Sequence, residues 1–314
     1  MSAVIEQISI GGFGPIKEAT LELSPLHALI GPNDSGKSMT LSAVSAILAE
    51  IQGASGTRFA GASWSLRTAE PKYDLGWKRG LGFSADVLLQ VQQAFGRGPR
   101  LVRLDPDSMR AAYPLLDDKE PFDFLDERGK GLGRLIDGLF ARNTEEHARL
   151  GDRLRSMFPT VDGFRLFTRG GGRAIGVRLK DGTEVPPEQM SEGMLYFLAF
   201  SLLPHIQKPS MLLIEEPENG LHPARIKEVV QILREVSKTT QILMATHSPL
   251  LSNELEPHEV TLVTRHQSEG TRFTRMDKTP HFEERAKAWN LGELWIALSD
   301  GVSEEALLNP KRKR

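Results

Sequence analysis

Cysteine is missing from all 314 residues. The chain therefore has no disulfide frame, no thiol nucleophile and no cysteine-built metal site, which fits a reducing compartment. An excess of one charge is missing too. The 39 Lys and Arg nearly balance the 41 Asp and Glu, leaving a formal net charge of -2, so nothing global marks a polyanion binder and any nucleic-acid contact has to be local. No apolar run approaches the ~20 residues of a membrane-crossing helix. The opening MSAVIEQISI has no basic start leading into a long apolar segment, so no membrane is expected and the cytoplasm is. Sustained heptads of apolar a and d positions are also absent, which excludes long coiled-coil arms. The terminal Lys311, Arg312, Lys313 and Arg314 read as a solvated tail.

What is present is 39% hydrophobic residues, enough for a sizeable core. Alternation over Val4–Ile10, a break at Gly11, Gly12 and Gly14, and alternation again over Ala19–Leu23 predict strand, turn, strand. Residues 53–99, rich in Gly, Ser and Arg, are expected to be an irregular insertion. Helices are expected over 131–140 and 145–158, and a hairpin around the glycines at 170–172. An apolar helix over 194–203, a buried strand over 211–214, an amphipathic helix over 223–236 and a buried strand over 241–245 follow. That alternation predicts an α/β fold with a mostly parallel sheet flanked by helices, plus an N-terminal antiparallel part. Two late edge strands, 260–263 and 271–275, and one helix over 282–298 complete the expectation. The acidic run Asp117, Asp118, Glu120, Asp123, Asp126 and Glu127 reads as a solvated loop.

GPNDSGKS, from Gly31 to Ser38, fits G-x-x-x-x-G-K-[ST] between a strand and a helix. Backbone N–H groups across Asn33, Asp34, Ser35, Gly36, Lys37, Ser38 and Met39 are expected to wrap a phosphate chain at a helix N-terminus. Lys37 would neutralise β- and γ-phosphates, and the Ser38 hydroxyl would ligate Mg²⁺. In LLIEEPENGLHP, two carboxylates end an apolar run where charge is costly without a cation. Glu215 is expected to hold Mg²⁺, through water, and Glu216 to orient or deprotonate the attacking water. The bland reading is a solvated strand end. Ser191, Glu192 and Gly193 precede an apolar helix, as an N-cap does, and the same start is a second anion site. His247 follows a buried strand, either as a hydrogen-bonded structural histidine or as a γ-phosphate sensor at the ligand edge of the sheet.

GPNDSGKS, MSEGM, LLIEEPENGLHP and ATHSP, in that order, resemble an ABC-type ATPase head. More narrowly they are similar to the ATPase domain of the overcoming-lysogenisation-defect (OLD) class and its stand-alone AAA-like relatives. The opening VIEQISIGGFGPIKEATLEL supports the likeness. The resemblance divides the chain into a first part of the head at 1–52, an insertion and helical region at 53–160, and a second part of the head at 161–314. It implies that Ser191, Glu192 and Gly193 form a signature motif contacting ATP bound by a second copy, so that an ATP-dependent homodimer sandwiches two nucleotides. Glu218, Asn219, Gly220, Leu221 and His222 would be the D-loop along that interface, and His247 the switch histidine. Gln90, Gln92 and Gln93 are equal candidates for the Q-loop glutamine. The sequence departs from the family in MSEGM, where LSGGQ is usual, and in Glu215, where Asp is usual, which implies slow or partner-activated hydrolysis. Many relatives act beside a separate effector, a nuclease or toxin, in bacterial defence or DNA maintenance, and the resemblance implies the same role here. A transporter subunit fits the altered signature and EEPENGLHP poorly, an SMC-like tether lacks its arms, and a weakly hydrolysing nucleotide-dependent scaffold is the main alternative.

Overall fold

The computed structural model describes residues 4–53, 62–69, 72–77, 85–114, 116–117, 119–169, 172–266 and 270–299. The Gly170 and Gly171 of the expected hairpin turn, Asp118 and the basic tail lie outside them.

β1 (Ile5–Phe13) runs on through Gly11 and Gly12 rather than stopping there. The chain reverses at Gly14 and Pro15, with Gly14 at φ +54, and returns as β2 (Ile16–Glu22). β3 (Leu26–Ile30) is buried at every position and leads into α1 (Lys37–Ile51). The 53–99 stretch, expected as an irregular insertion, contributes β4 (Ser63–Thr68), β5 (Asp74–Trp77) and α2 (Ala85–Phe95). In β4, Trp64, Leu66 and Thr68 are buried and alternate with less buried neighbours. That is a period of two which its Ser and Arg content obscured. β6 (Arg100–Val102) and α3 (Pro106–Arg110) follow, the helix capped by Asp105, whose Oδ1 accepts from Ser108 N at 3.0 Å.

α4 (Leu132–Arg142) and α5 (Thr144–Met157) come as expected, and Asn143 caps the second by accepting from Glu146 N. The hairpin is β7 (Val161–Arg169) with β8 (Gly172–Leu179), extended by β9 (Glu184–Val185). Then come α6 (Glu192–Leu202), β10 (Leu212–Glu215), α7 (Ile226–Ser237), β11 (Ile242–Thr246) and the one-turn α8 (Pro249–Ser252). β12 (Val260–His266) and β13 (Gly270–Arg275) close the sheet. The single helix expected over 282–298 is two, α9 (Phe282–Arg285) and α10 (Leu291–Ser299). Asn290 and Glu293 exchange hydrogen bonds at 2.9 Å between each side chain and the other's backbone N–H, a box that starts a new helix.

The chain forms two compact units, residues 1–101, 208–217 and 237–314 in the first, and 102–207 with 218–236 in the second. The first unit contains the antiparallel sheet β2-β1-β4-β5 and most of the six-stranded sheet β13-β12-β3-β11-β10-β6. In the larger sheet β10, β11, β3 and β12 are parallel and β13 is antiparallel. β12 is therefore an inner strand, not the edge strand its late position suggested. A continuous core of Ile8, Ile10, Leu41, Val44, Leu48, Trp64, Leu213, Leu243 and Val263 binds α1 to both sheets. The side-chain amide of the buried Gln241 bridges the sheets, donating to Ile5 O at 2.8 Å and Ser24 O at 3.1 Å while its oxygen accepts from Ile5 N. The second unit packs α4, α5 and α6 with the β7-β8-β9 sheet.

Candidate functional site

The parallel strands β3, β11 and β10 all point their carboxyl ends the same way, and each delivers a piece of the site there. This is where ligands bind in open α/β sheets. Residues 31–36 follow β3, His247 follows β11, and Glu215 ends β10 with Glu216 next.

The loop conformation shows why its residue types were needed. Gly31 has no room for a side chain, since a Cβ would lie 2.3 Å from Val263 O. Gly36 takes φ +108, and its Cβ would lie 2.5 Å from Thr271 Oγ1. Asp34 also takes positive φ, at 63, a conformation Asp tolerates better than most residues. Thr271 Oγ1 donates to Ser35 O at 3.0 Å, so the β12–β13 hairpin braces the loop from outside. α1 begins at Lys37 with no side-chain cap and no acid in its first turn, so nothing on the helix itself offsets its N-terminal dipole. Lys37 Nζ donates to Gly31 O at 2.7 Å and Pro32 O at 2.9 Å, curling back over the loop.

Glu215 pairs in register with Ala245, and Glu216 N donates to Ala245 O at 2.8 Å. Glu216 takes φ 45, a left-handed turn that swings the chain out of the strand. Its Oε1 lies 3.5 Å from His247 Nδ1, both side chains being nearly half exposed. Thr246, fully buried, fixes the next bend by accepting from Ser248 N at 3.0 Å. A cleft of about 840 Å³ joins these parts, lined by Asn33, Asp34, Gly36, Lys37, Ser38, Met39, Glu215, Glu216 and Ala245, with Gly14, Pro15 and Arg265. Ser38 and Glu215 thus line one cleft, and a hydroxyl with a carboxylate is an all-oxygen donor pair of the kind that suits Mg²⁺.

Sequence reasoning missed Gly14, Pro15, Thr271 and Arg265. They come from distant hairpins, and no local pattern tied them to the loop. Gln90, Gln92 and Gln93 all lie on α2, and none lines the cleft. The acidic run forms no metal cluster among the described residues. Glu120 pairs with Arg134, and Asp126 accepts from Arg128 N and Lys130 N, so these carboxylates shape their own loop.

The second unit holds the other motif set together. Ser191 caps α6 by accepting from Met194 N at 3.3 Å, and both Ser191 and Glu192 are exposed. Gly193 is buried, and a Cβ on it would lie 2.7 Å from Gly220 O. Gly220, at φ +66, in turn lies against Tyr196 and Glu192. The run 191–193 and the run 218–222 are therefore packed backbone to backbone. His222 Nδ1 accepts from Ala224 N and starts the turn into α7. Arg225 anchors the base, its guanidinium 3.9 Å from the Phe158 ring centroid and donating to Met157 O.

Over residues 87–253, just over half of the chain, the sequence matches the family described as "AAA domain, putative AbiEii toxin, Type IV TA system". Residues 4–69 match a second family described as "AAA domain". Among solved structures, "Crystal structure of the SmcHead bound to the C-winged helix domain of ScpA" is similar with a TM-score of 0.58 and 17% identity, over 86% of this chain and 97% of that one. A Smc head domain with an extended coiled coil, bound to the C-terminal domain of ScpA derived from Pyrococcus furiosus, is similar with a TM-score of 0.53 and 16% identity, over 87% and 96%. At these identities the likeness is one of fold. No described helix is long and apolar enough to cross a membrane.

Proposed function

The chain belongs to the AAA-domain family matched over residues 87–253, and from that premise we propose that it is an ATP-hydrolysing switch that works as an ATP-dependent homodimer. The observation that carries the reading is the single cleft shared by Lys37, Ser38, Glu215 and Glu216 at the carboxyl edge of the parallel strands. In this reading the loop N–H groups and Lys37 bind the triphosphate. Ser38 and, through water, Glu215 would hold Mg²⁺, which when bound would neutralise charge on the β- and γ-phosphates. Glu216 takes a proton from the attacking water as it adds to the γ-phosphorus, and ADP leaves with the bridging oxygen. His247, beside Glu216, orients the γ-phosphate end. Ser191, Glu192 and Gly193 of one copy meet the nucleotide of the other, with 218–222 along the same face.

The role we propose is control of a separate effector chain, a nuclease or toxin, in defence or DNA maintenance. The family's description names a toxin of a toxin–antitoxin system, and the PENGLHP run and the opening strand pair keep the stand-alone OLD-class relatives as the narrower likeness. A weakly hydrolysing scaffold is favoured over this by two features, Glu215, whose extra methylene alters the reach to the metal, and the MSEGM signature that stands where LSGGQ is usual. Turnover measured against protein concentration separates the two. The expected result is a rate rising faster than linearly, and a Glu216→Gln protein that binds ATP, dimerises and barely turns over. Linear activity from a protein that stays monomeric in ATP would sink the dimeric switch.

A further inference from the structure

The cleft has two ends, and only one has been given chemistry. In the order β12-β3-β11-β10 the phosphate loop follows β3, and the glutamates stand two strands to one side, after β10. On the other side stands β12 with its hairpin partner β13. A nucleoside triphosphate with its γ-phosphate toward Glu216 must therefore run across the loop toward β12, and its base and ribose fall among Gly14, Pro15, Met39 and Arg265.

These four residues are built together. Arg265 is the cross-strand partner of Thr271, so their side chains share a face, and Thr271 is the residue that touches Gly36 and Ser35 O. Thr271 N also donates to Pro15 O at 3.0 Å, which ties the β1–β2 turn to the same hairpin. Met39 is exposed by 40%, unusual for a large apolar side chain, and its thioether would lie 3.4 Å from a Cβ on Gly14. Among the described residues no aromatic side chain lines the cleft, and none of them offers a ring there for a base to stack on. Arg265 is exposed, and no carboxylate among the described residues pairs with it. Arg275 on the neighbouring strand, by contrast, is held by Glu22 and Asp277. A planar, weakly hydrated guanidinium and a polarisable thioether lining the same end of a cleft can together substitute for an aromatic platform.

Resting on the nucleotide reading above, we propose that Arg265 and Met39 clamp the base of the nucleotide between them, with the Gly14–Pro15 turn as the floor. The contact is made by the plane of the guanidinium, and its charge toward the phosphates is secondary. The test is calorimetric binding of Mg²⁺–ATP and of Mg²⁺–tripolyphosphate, which has the phosphates without a nucleoside, to wild type, Arg265→Ala and Arg265→Lys. The expected result is that both variants lose ATP affinity about tenfold, as one stacking contact would, and keep tripolyphosphate affinity. Equal weakening of both ligands, or restoration of ATP binding by lysine, overturns the clamp, as does indifference of ATP to either variant. Wild-type protein that binds neither ligand removes the nucleotide reading itself, and the clamp with it. Thermal unfolding of each variant checks that a lost affinity is not a lost fold.

Discussion

Glu216 sits at φ 45, where a side chain with a Cβ costs about 1–2 kcal/mol. The strand ladder continues through its N–H to Ala245 O, so the strain is imposed by a real hydrogen bond and turns the carboxylate toward His247. Backbone strain of this kind clusters at active sites and ligand clamps, and in the proposed function Glu216 stands at such a point. Glu216→Gly is expected to raise the stability of the protein by about 1 kcal/mol while abolishing turnover, read as a higher urea midpoint with no phosphate release. A variant that is destabilised would mean the left-handed turn is not strained. The two glutamates were legible in the sequence because carboxylates are improbable at the end of a buried run. The φ value was not, since it comes from the chain leaving β10 while still hydrogen-bonded to β11. Thr271 and Arg265 were illegible for a similar reason: their meaning lies in a cross-strand pairing, and pairing partners carry no local signature.

At the scale of the element, β3 is the strand that positions the loop, and it carries a fully buried histidine. His27 Nδ1 accepts from Ser24 N, which leaves Nε2–H to donate to Thr261 Oγ1 at 2.9 Å. Burial pushes its pKa down to about 3, helped by Arg275 and His258 and opposed by Asp277. The folded protein thus keeps His27 neutral where the unfolded chain, with an ordinary value of 6.5, takes up a proton. The stabilisation is complete above pH 6.5 and is lost as pH falls from there toward 3, with a slope of up to about 1.4 kcal/mol per pH unit. Denaturant unfolding between pH 7.5 and 4.5 should show this slope. In His27→Gln it should flatten, from a lower stability at pH 7.5; an unchanged slope would place the acid sensitivity elsewhere. Helical spacing made α4, α5 and α7 readable from the sequence, and unbroken apolar runs did the same for α6, β10 and β11. β4 and the break between α9 and α10 could not. The first hides its period behind serine and arginine, and the second depends on the Asn290–Glu293 box and on Gly292, whose Cβ would lie 2.4 Å from Pro249 O.

At the scale of the whole molecule, the chain passes from one unit to the other between Pro217 and Glu218, one residue after Glu216. The phosphate loop, both glutamates and His247 belong to the first unit, and Ser191, Gly193 and 218–222 to the second. If each active site is completed by a second copy, damage to the two halves must complement. Lys37→Ala removes the triphosphate ligand in its own site but leaves an intact signature. Ser191→Asp keeps the α6 cap, because aspartate accepts from Met194 N as well as serine does. It also sets a negative charge against any phosphate the partner holds. Each variant alone is expected to be nearly inactive. Mixed in equal amounts and allowed to exchange, half of the dimers are heterodimers with one site doubly damaged and one intact, so the mixture should recover about a quarter of wild-type turnover. If the sites worked within a single copy, the mixture would be as inactive as its parts, and the signature would have to act on the nucleotide of its own chain.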